Sequence, residues 1–151
     1  MVYRRPTQVG PAHMTNVAAN AHNCWLNPKD ICLPSLTQTF ALVLAVTASA
    51  TALTMALMPY GGPPEELQFL FHGGAFLIIG FFFAVSLPHK PWGGLLLAFA
   101  LGLTIEGVQH FVPGRSASVE DMLANCVGIA SGGLLYAAVK FASARSKSAP
   151  F

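Results

Sequence analysis

Polar and apolar positions are strongly segregated along this chain. A polar stretch over residues 1–35 is followed by four long apolar runs, Leu36–Met58, Leu67–Leu87, Trp92–Phe111 and 121–141. The first run carries no charge, and the second holds His72 as its only ionisable group. The third contains Glu106 and His110, and the fourth, after Asp121, is uncharged until Lys140. A helix crossing about 30 Å of hydrocarbon needs about 20 residues at 1.5 Å rise each. All four runs meet that length. The joints "MPYGGPPEE", "PHKP" and "VPGRSAS" gather the proline and glycine that end helices. Joints this short force neighbouring helices to run antiparallel. The pattern therefore predicts an all-α polytopic membrane protein, an antiparallel four-transmembrane-helix bundle with spans of about 36–58, 67–87, 92–111 and 121–141.

Composition strengthens this reading. Hydrophobic residues make up 54% of the chain and charged residues 9%, with a mean hydropathy of +0.56. A soluble domain has roughly 25% charged residues, so this chain cannot clothe a water-facing surface. A net charge of +2 gives no basis for nucleic acid binding. Orientation follows from Lys and Arg, which accumulate on the cytoplasmic side. With the N-terminus inside, Arg4, Arg5, Lys29, Lys90, Lys140, Arg145 and Lys147 are cytoplasmic, and Arg115 alone is outside. Both termini are thus expected in the cytoplasm. Residues 1–35, rich in Pro and Asn, read as a poorly ordered tail without a core, and residues 142–151 as a second tail. Met14 offers an alternative start. "TASATA" resembles a signal-cleavage site, but the preceding tail is long and apolar sequence continues beyond it, so no cleavage is expected. Three cysteines give no disulfide framework, and Cys24, Cys32, His13 and His22 match no zinc spacing. No metal site is expected. Haem is not expected either, because His72 and His110 sit near one membrane face and no further span His offers a second pair.

One region departs from this apolar background, "IEGVQHFVPGRSASVEDMLANCVG", Ile105–Gly128. At about 100° per residue, Ala98, Gly102, Glu106, Gln109 and His110 fall on one broad stripe of the third span. Asp121, Asn125, Gly128 and Gly132 fall on a narrow stripe of the fourth. Gly128 and Gly132 form a G-x-x-x-G pair, which lets membrane helices approach closely. The simplest packing sets these two stripes face to face, with His72 at the same depth. Pro113 and Gly114 end the third helix. Ser118 and Asp121 read as a capping box with Asp in the N3 position. Each group also has a plainer role. Glu106 can be a hydrogen-bonded clamp, His72 a packed ring, Arg115 a snorkelling cation, Asp121 a cap, Asn125 interhelical glue and His110 an interfacial side chain. Glu65 and Glu66 read as solvated loop charges, and Gly73, Gly74 and Gly80 as packing residues.

These residues resemble the signature of the VanZ-like membrane proteins. The matching positions are Glu106, Gln109, Pro113, Gly114, Arg115, Asp121, Asn125 and Gly128. An earlier family element, an Asp-Lys pair followed after two residues by His, is matched only at His72, because Gln68 and Phe69 stand where the pair would be. The resemblance covers about Leu67–Leu135. It implies a bacterial plasma-membrane protein with a cell-envelope role, since the family takes its name from a protein associated with low-level teicoplanin resistance. Three functions stay open. In the first, His72, Glu106, Gln109, Arg115, Asp121 and Asn125 bind or shield an anionic membrane lipid, a lipid-linked envelope precursor or a glycopeptide. In the second, Glu106 or His110 acts as acid or base on a lipid phosphate held by Arg115. In the third, the chain is an accessory subunit of a larger membrane complex, with the partner unnamed by anything in the sequence.

Overall fold

The computed structural model describes residues 34–59, 64–114 and 118–148. The chain divides into Met1–Pro34 and Ser35–Phe151, and every described helix lies in the second unit. The described residues are all-α: α1 (Leu36–Leu57), α2 (Glu65–Ser86), α3 (Pro91–Gln109) and α4 (Val119–Ser148). All four are long and apolar enough to cross a membrane. Helix α2 starts at Glu65, so Glu65 and Glu66 belong to its first turn and not to the loop. Helix α4 continues past residue 141 to Ser148.

The ends of the helices follow local chemistry. Ser35 and Gln38 form a complete capping box at the start of α1: Gln38 N–H donates to Ser35 Oγ at 3.3 Å and Ser35 N–H donates to Gln38 Oε1 at 2.9 Å. Pro91 opens α3, where its missing N–H costs nothing. Gly114 turns the chain after α3 with φ 78°, a conformation open to glycine and strained for other residues. Within α1, the hydroxyls of Thr47, Ser49, Thr51 and Thr54 donate to carbonyls four residues back. Their polar atoms are thereby satisfied inside an apolar span.

Helices α2 and α3 form the centre. Each packs on all the others, whereas α1 and α4 make no contact with one another. Small side chains dominate the buried positions. Ala41, Ala45 and Ala56 are buried on α1, with Ala48 and Ala52 packed against the core. Phe76 and Ile79 of α2 and Ile105 of α3 supply the bulk. The large apolar side chains point outward instead: Phe40, Val46, Phe71, Leu97, Leu103 and Leu134 are all exposed. Lipid is as apolar as leucine, so helix association rests on close packing and not on hiding apolar surface.

The densest contact is between α2 and α4, and it corrects the packing expected from sequence. Gly128 and Gly132 face α2, not α3. A Cβ on Gly128 would collide with the Gly73 carbonyl and lie 2.9 Å from Leu77 N. One on Gly132 would lie 2.5 Å from Leu77 O and 2.8 Å from Phe81 N. On the facing side, Gly73 and Gly80 of α2 lie against Ala124 O and the Ile129 backbone of α4, so the two backbones come close from both sides. Helix α3 meets α4 where Gly102 lies beside Asn125 Nδ2 and the Phe76 ring, and again where Leu95 packs on Gly133.

Candidate functional site

At the end of the bundle where α2 and α4 begin and α3 finishes, three helices each turn polar groups inward. Helix α2 contributes His72, α3 contributes Glu106 and Gln109, and α4 contributes Asp121 and Asn125. Glu106, Gln109, Asp121 and Asn125 are the buried polar residues among those described, and Asn125 is wholly enclosed. Gly102 lies against it, where an added Cβ would come 3.4 Å from Asn125 Nδ2.

Asn125 joins the three helices. Its Oδ1 lies 3.1 Å from His72 Nδ1, and its Nδ2 donates to Glu106 Oε1 at 3.5 Å. With Nδ2 the donor to Glu106, Oδ1 must accept, so His72 Nδ1 carries the proton in this network. Glu106 Oε1 also lies 3.8 Å from His72 Nδ1. The second carboxylate oxygen, Oε2, accepts from the backbone N–H of Ser118 at 3.3 Å.

That last bond revises the expected capping box. Ser118 does cap α4, but its Oγ accepts from Glu120 N–H, at 3.1 Å. In a capping box the N3 acid would reach back to the N-cap N–H. Here Glu106, from the neighbouring helix, takes that N–H. Asp121 is left buried beside Glu106 and His72, with one ligand atom from each of the three within 4.8 Å of the others. Ser118 is thus a site residue that sequence reading placed only as a cap. The bond runs to its backbone, which no side-chain pattern reports.

The predicted set separates cleanly. His72, Glu106, Asp121 and Asn125 come together, with Gln109 beside them on the α3 face. His110 does not join them; it is exposed at the end of α3, edge-on to Phe111 with ring centroids 5.5 Å apart. Arg115 lies outside the described residues, as do Cys24, Cys32, His13 and His22.

The layer opens sideways onto an apolar cleft of about 740 Å³ between α1 and α2. Leu44, Ala48, Met55, Phe71 and Ile78 contribute to its walls, and His72 and Gln109 stand at its polar end. The Oε1 of Gln109 is buried without a hydrogen-bond partner among the described residues. A second groove, near the opposite end of α3 and α4, is lined by Trp92, Leu95, Tyr136, Lys140 and Phe141 and contains none of the polar layer.

A family model described as VanZ/LLP1 matches residues 14–140. The chain belongs to the VanZ/LLP1 family. The match spans the helical unit through Lys140 and includes every residue of the polar layer. No curated protein and no solved structure matches the chain significantly. The VanZ-like identity and the four spanning helices together make this a multi-pass membrane protein.

Proposed function

We propose that this VanZ-like protein binds the polar headgroup of an anionic amphipath, a membrane lipid or lipid-linked envelope precursor, in the layer formed by His72, Glu106, Gln109, Asp121 and Asn125. The observation that carries this reading is the junction of a buried polar layer with an apolar cleft. A cleft of about 740 Å³ is in the range of small-molecule sites. Its apolar walls suit a chain, and its His72–Gln109 end suits a headgroup. Arg115, between α3 and α4 in the sequence, supplies a cation for phosphate or carboxylate. The distribution of Lys and Arg favours both termini in the cytoplasm of a bacterial plasma membrane, which sets the layer at the outer leaflet. There it would meet envelope precursors and glycopeptides such as teicoplanin.

Catalysis on a lipid phosphate is the second reading, favoured by the 3.8 Å approach of His72 to Glu106. His110, the other acid–base candidate, stands apart from that pair. Purified protein in mild detergent, analysed by native mass spectrometry, tests the binding reading. Wild type should retain a lipid, and His72→Ala or Arg115→Ala should lose most of it. Absence of any retained lipid, with unchanged glycopeptide susceptibility in a deletion strain, would overturn it. Turnover of an added polyprenyl phosphate, abolished by Glu106→Gln, would favour the enzyme instead.

A further inference from the structure

We propose that His72, Glu106 and Asp121 bind one divalent transition-metal ion, with zinc as the best fit to the donor set. The three side chains come from three helices, and one ligand atom from each already lies within 4.8 Å of the others. Tetrahedral ligands at about 2.0–2.2 Å from a common ion stand about 3.3–3.6 Å apart. Closing the site from that 4.8 Å limit therefore takes a contraction of at most about 1.5 Å between ligand atoms. The imidazole and two carboxylates suit zinc or manganese better than magnesium, which prefers oxygen alone, or copper(I), which prefers sulfur.

A second observation points the same way. Gln109, only 4% exposed, follows Glu106 by just under one turn and shares a cleft wall with His72. Its Oε1 is an orphaned acceptor among the described residues. Buried polar atoms without partners are rare, and each calls for an explanation such as a bound ion, a water or a functional strain. Gln109 lies three residues after Glu106 on α3, so this oxygen is a further unpaired polar group of the same layer. The surrounding bonds also have the form of a metal site's outer shell. Ser118 N–H and Asn125 Nδ2 both hold the Glu106 carboxylate in place, as ligating carboxylates are usually held. His72 would ligate after giving up the Nδ1 proton or through Nε2, so metal uptake releases or relocates that proton. The charge balance supports this, because two carboxylates and one imidazole in a buried layer favour a divalent cation over an empty site.

The test is a zinc titration of the full chain in detergent, after chelator treatment and without added lipid, read by calorimetry and elemental analysis. One equivalent is expected. Glu106→Gln and Asp121→Asn should each weaken uptake at least tenfold, while Cys24→Ser with Cys32→Ser should leave it unchanged. Glu106→Gln keeps an acceptor for one of the two donors, Asn125 Nδ2 or Ser118 N–H, and circular dichroism checks that it is folded. Cobalt(II) substitution of the wild type is an independent reading that needs no variant. Absorption typical of nitrogen and oxygen ligands is expected. Thiolate charge-transfer bands would assign the metal to cysteine and overturn the proposal. So would no uptake, or uptake indifferent to the triad. Because the titration contains no lipid, its failure is separate from failure of the headgroup reading.

Discussion

Replacing Gly128 by alanine should unlock the bundle at its tightest point. The new methyl would collide with the Gly73 carbonyl and lie 2.9 Å from Leu77 N. Both obstacles are backbone atoms inside a helix, so neither can rotate away as a side chain would. Relief requires the two helices to move apart, which loosens contacts along the whole α2–α4 seam. The cost falls at the upper end of the about 1–3 kcal/mol typical of overpacking. Alanine recovers about 1 kcal/mol through helix propensity, leaving a net loss of about 2 kcal/mol. Two other glycines provide the contrast. Gly107 has nothing within 4 Å of an added Cβ, so Gly107→Ala should be neutral or gain up to about 1 kcal/mol. Gly73 sits opposite Gly128, yet its own Cβ would meet only Ala124 O, at an ordinary 3.6 Å. Gly73→Ala should therefore be tolerated, although the two residues share one contact. The assay is SDS-induced unfolding in mixed micelles, followed by far-ultraviolet circular dichroism. A Gly128→Ala protein as stable as Gly107→Ala would refute the argument. So would equal losses at Gly73 and Gly128, because the difference between them comes from geometry and not from composition.

Two further outcomes test the polar layer and the lipid-facing surface. Asn125→Leu strands the His72 ring and Glu106 Oε1 in a buried site, at about 1–3 kcal/mol for each group left unsatisfied; the same unfolding assay should show a clear loss, and a midpoint equal to wild type would contradict the bridging role. Val46 is 54% exposed near the middle of α1, so Val46→Lys should weaken insertion by about 2.5–3.5 kcal/mol in a glycosylation-mapping assay while Val46→Leu inserts normally, and equal insertion of the two would contradict a lipid-facing position.

Much of the architecture was legible along the chain. Four runs of sufficient length, broken by Pro and Gly, specify four spans, because in hydrocarbon an isolated segment must satisfy its own backbone as a helix. The site's members were legible for a related reason. Glu106, Gln109, Asp121 and Asn125 are costly among apolar neighbours, so their presence singles them out. Helical period placed them on inward stripes, and His72 stood alone in its span. His110 was drawn in by the same arithmetic, yet as the C-cap residue of α3 it lies exposed.

Partner choice between helices was not legible. A G-x-x-x-G pair states that something comes close but not what, and both α2 and α3 carry small residues. Only the assembled bundle shows Gly128 and Gly132 against the bare backbone of α2, with α1 and α4 held apart. The connections inside the site were equally hidden. Ser118 offers Glu106 a backbone N–H, which has no sequence signature, and that bond replaces the local capping box. His72, Glu106 and Asp121 lie on three separate helices, so no spacing along the chain announces their convergence. Sequence by itself determined what must be a helix in a membrane and which side chains must turn inward, since both follow from one segment's dealings with lipid. The tertiary structure decided which helices touch and which polar atoms meet, because those depend on the fit of two surfaces that no single segment contains.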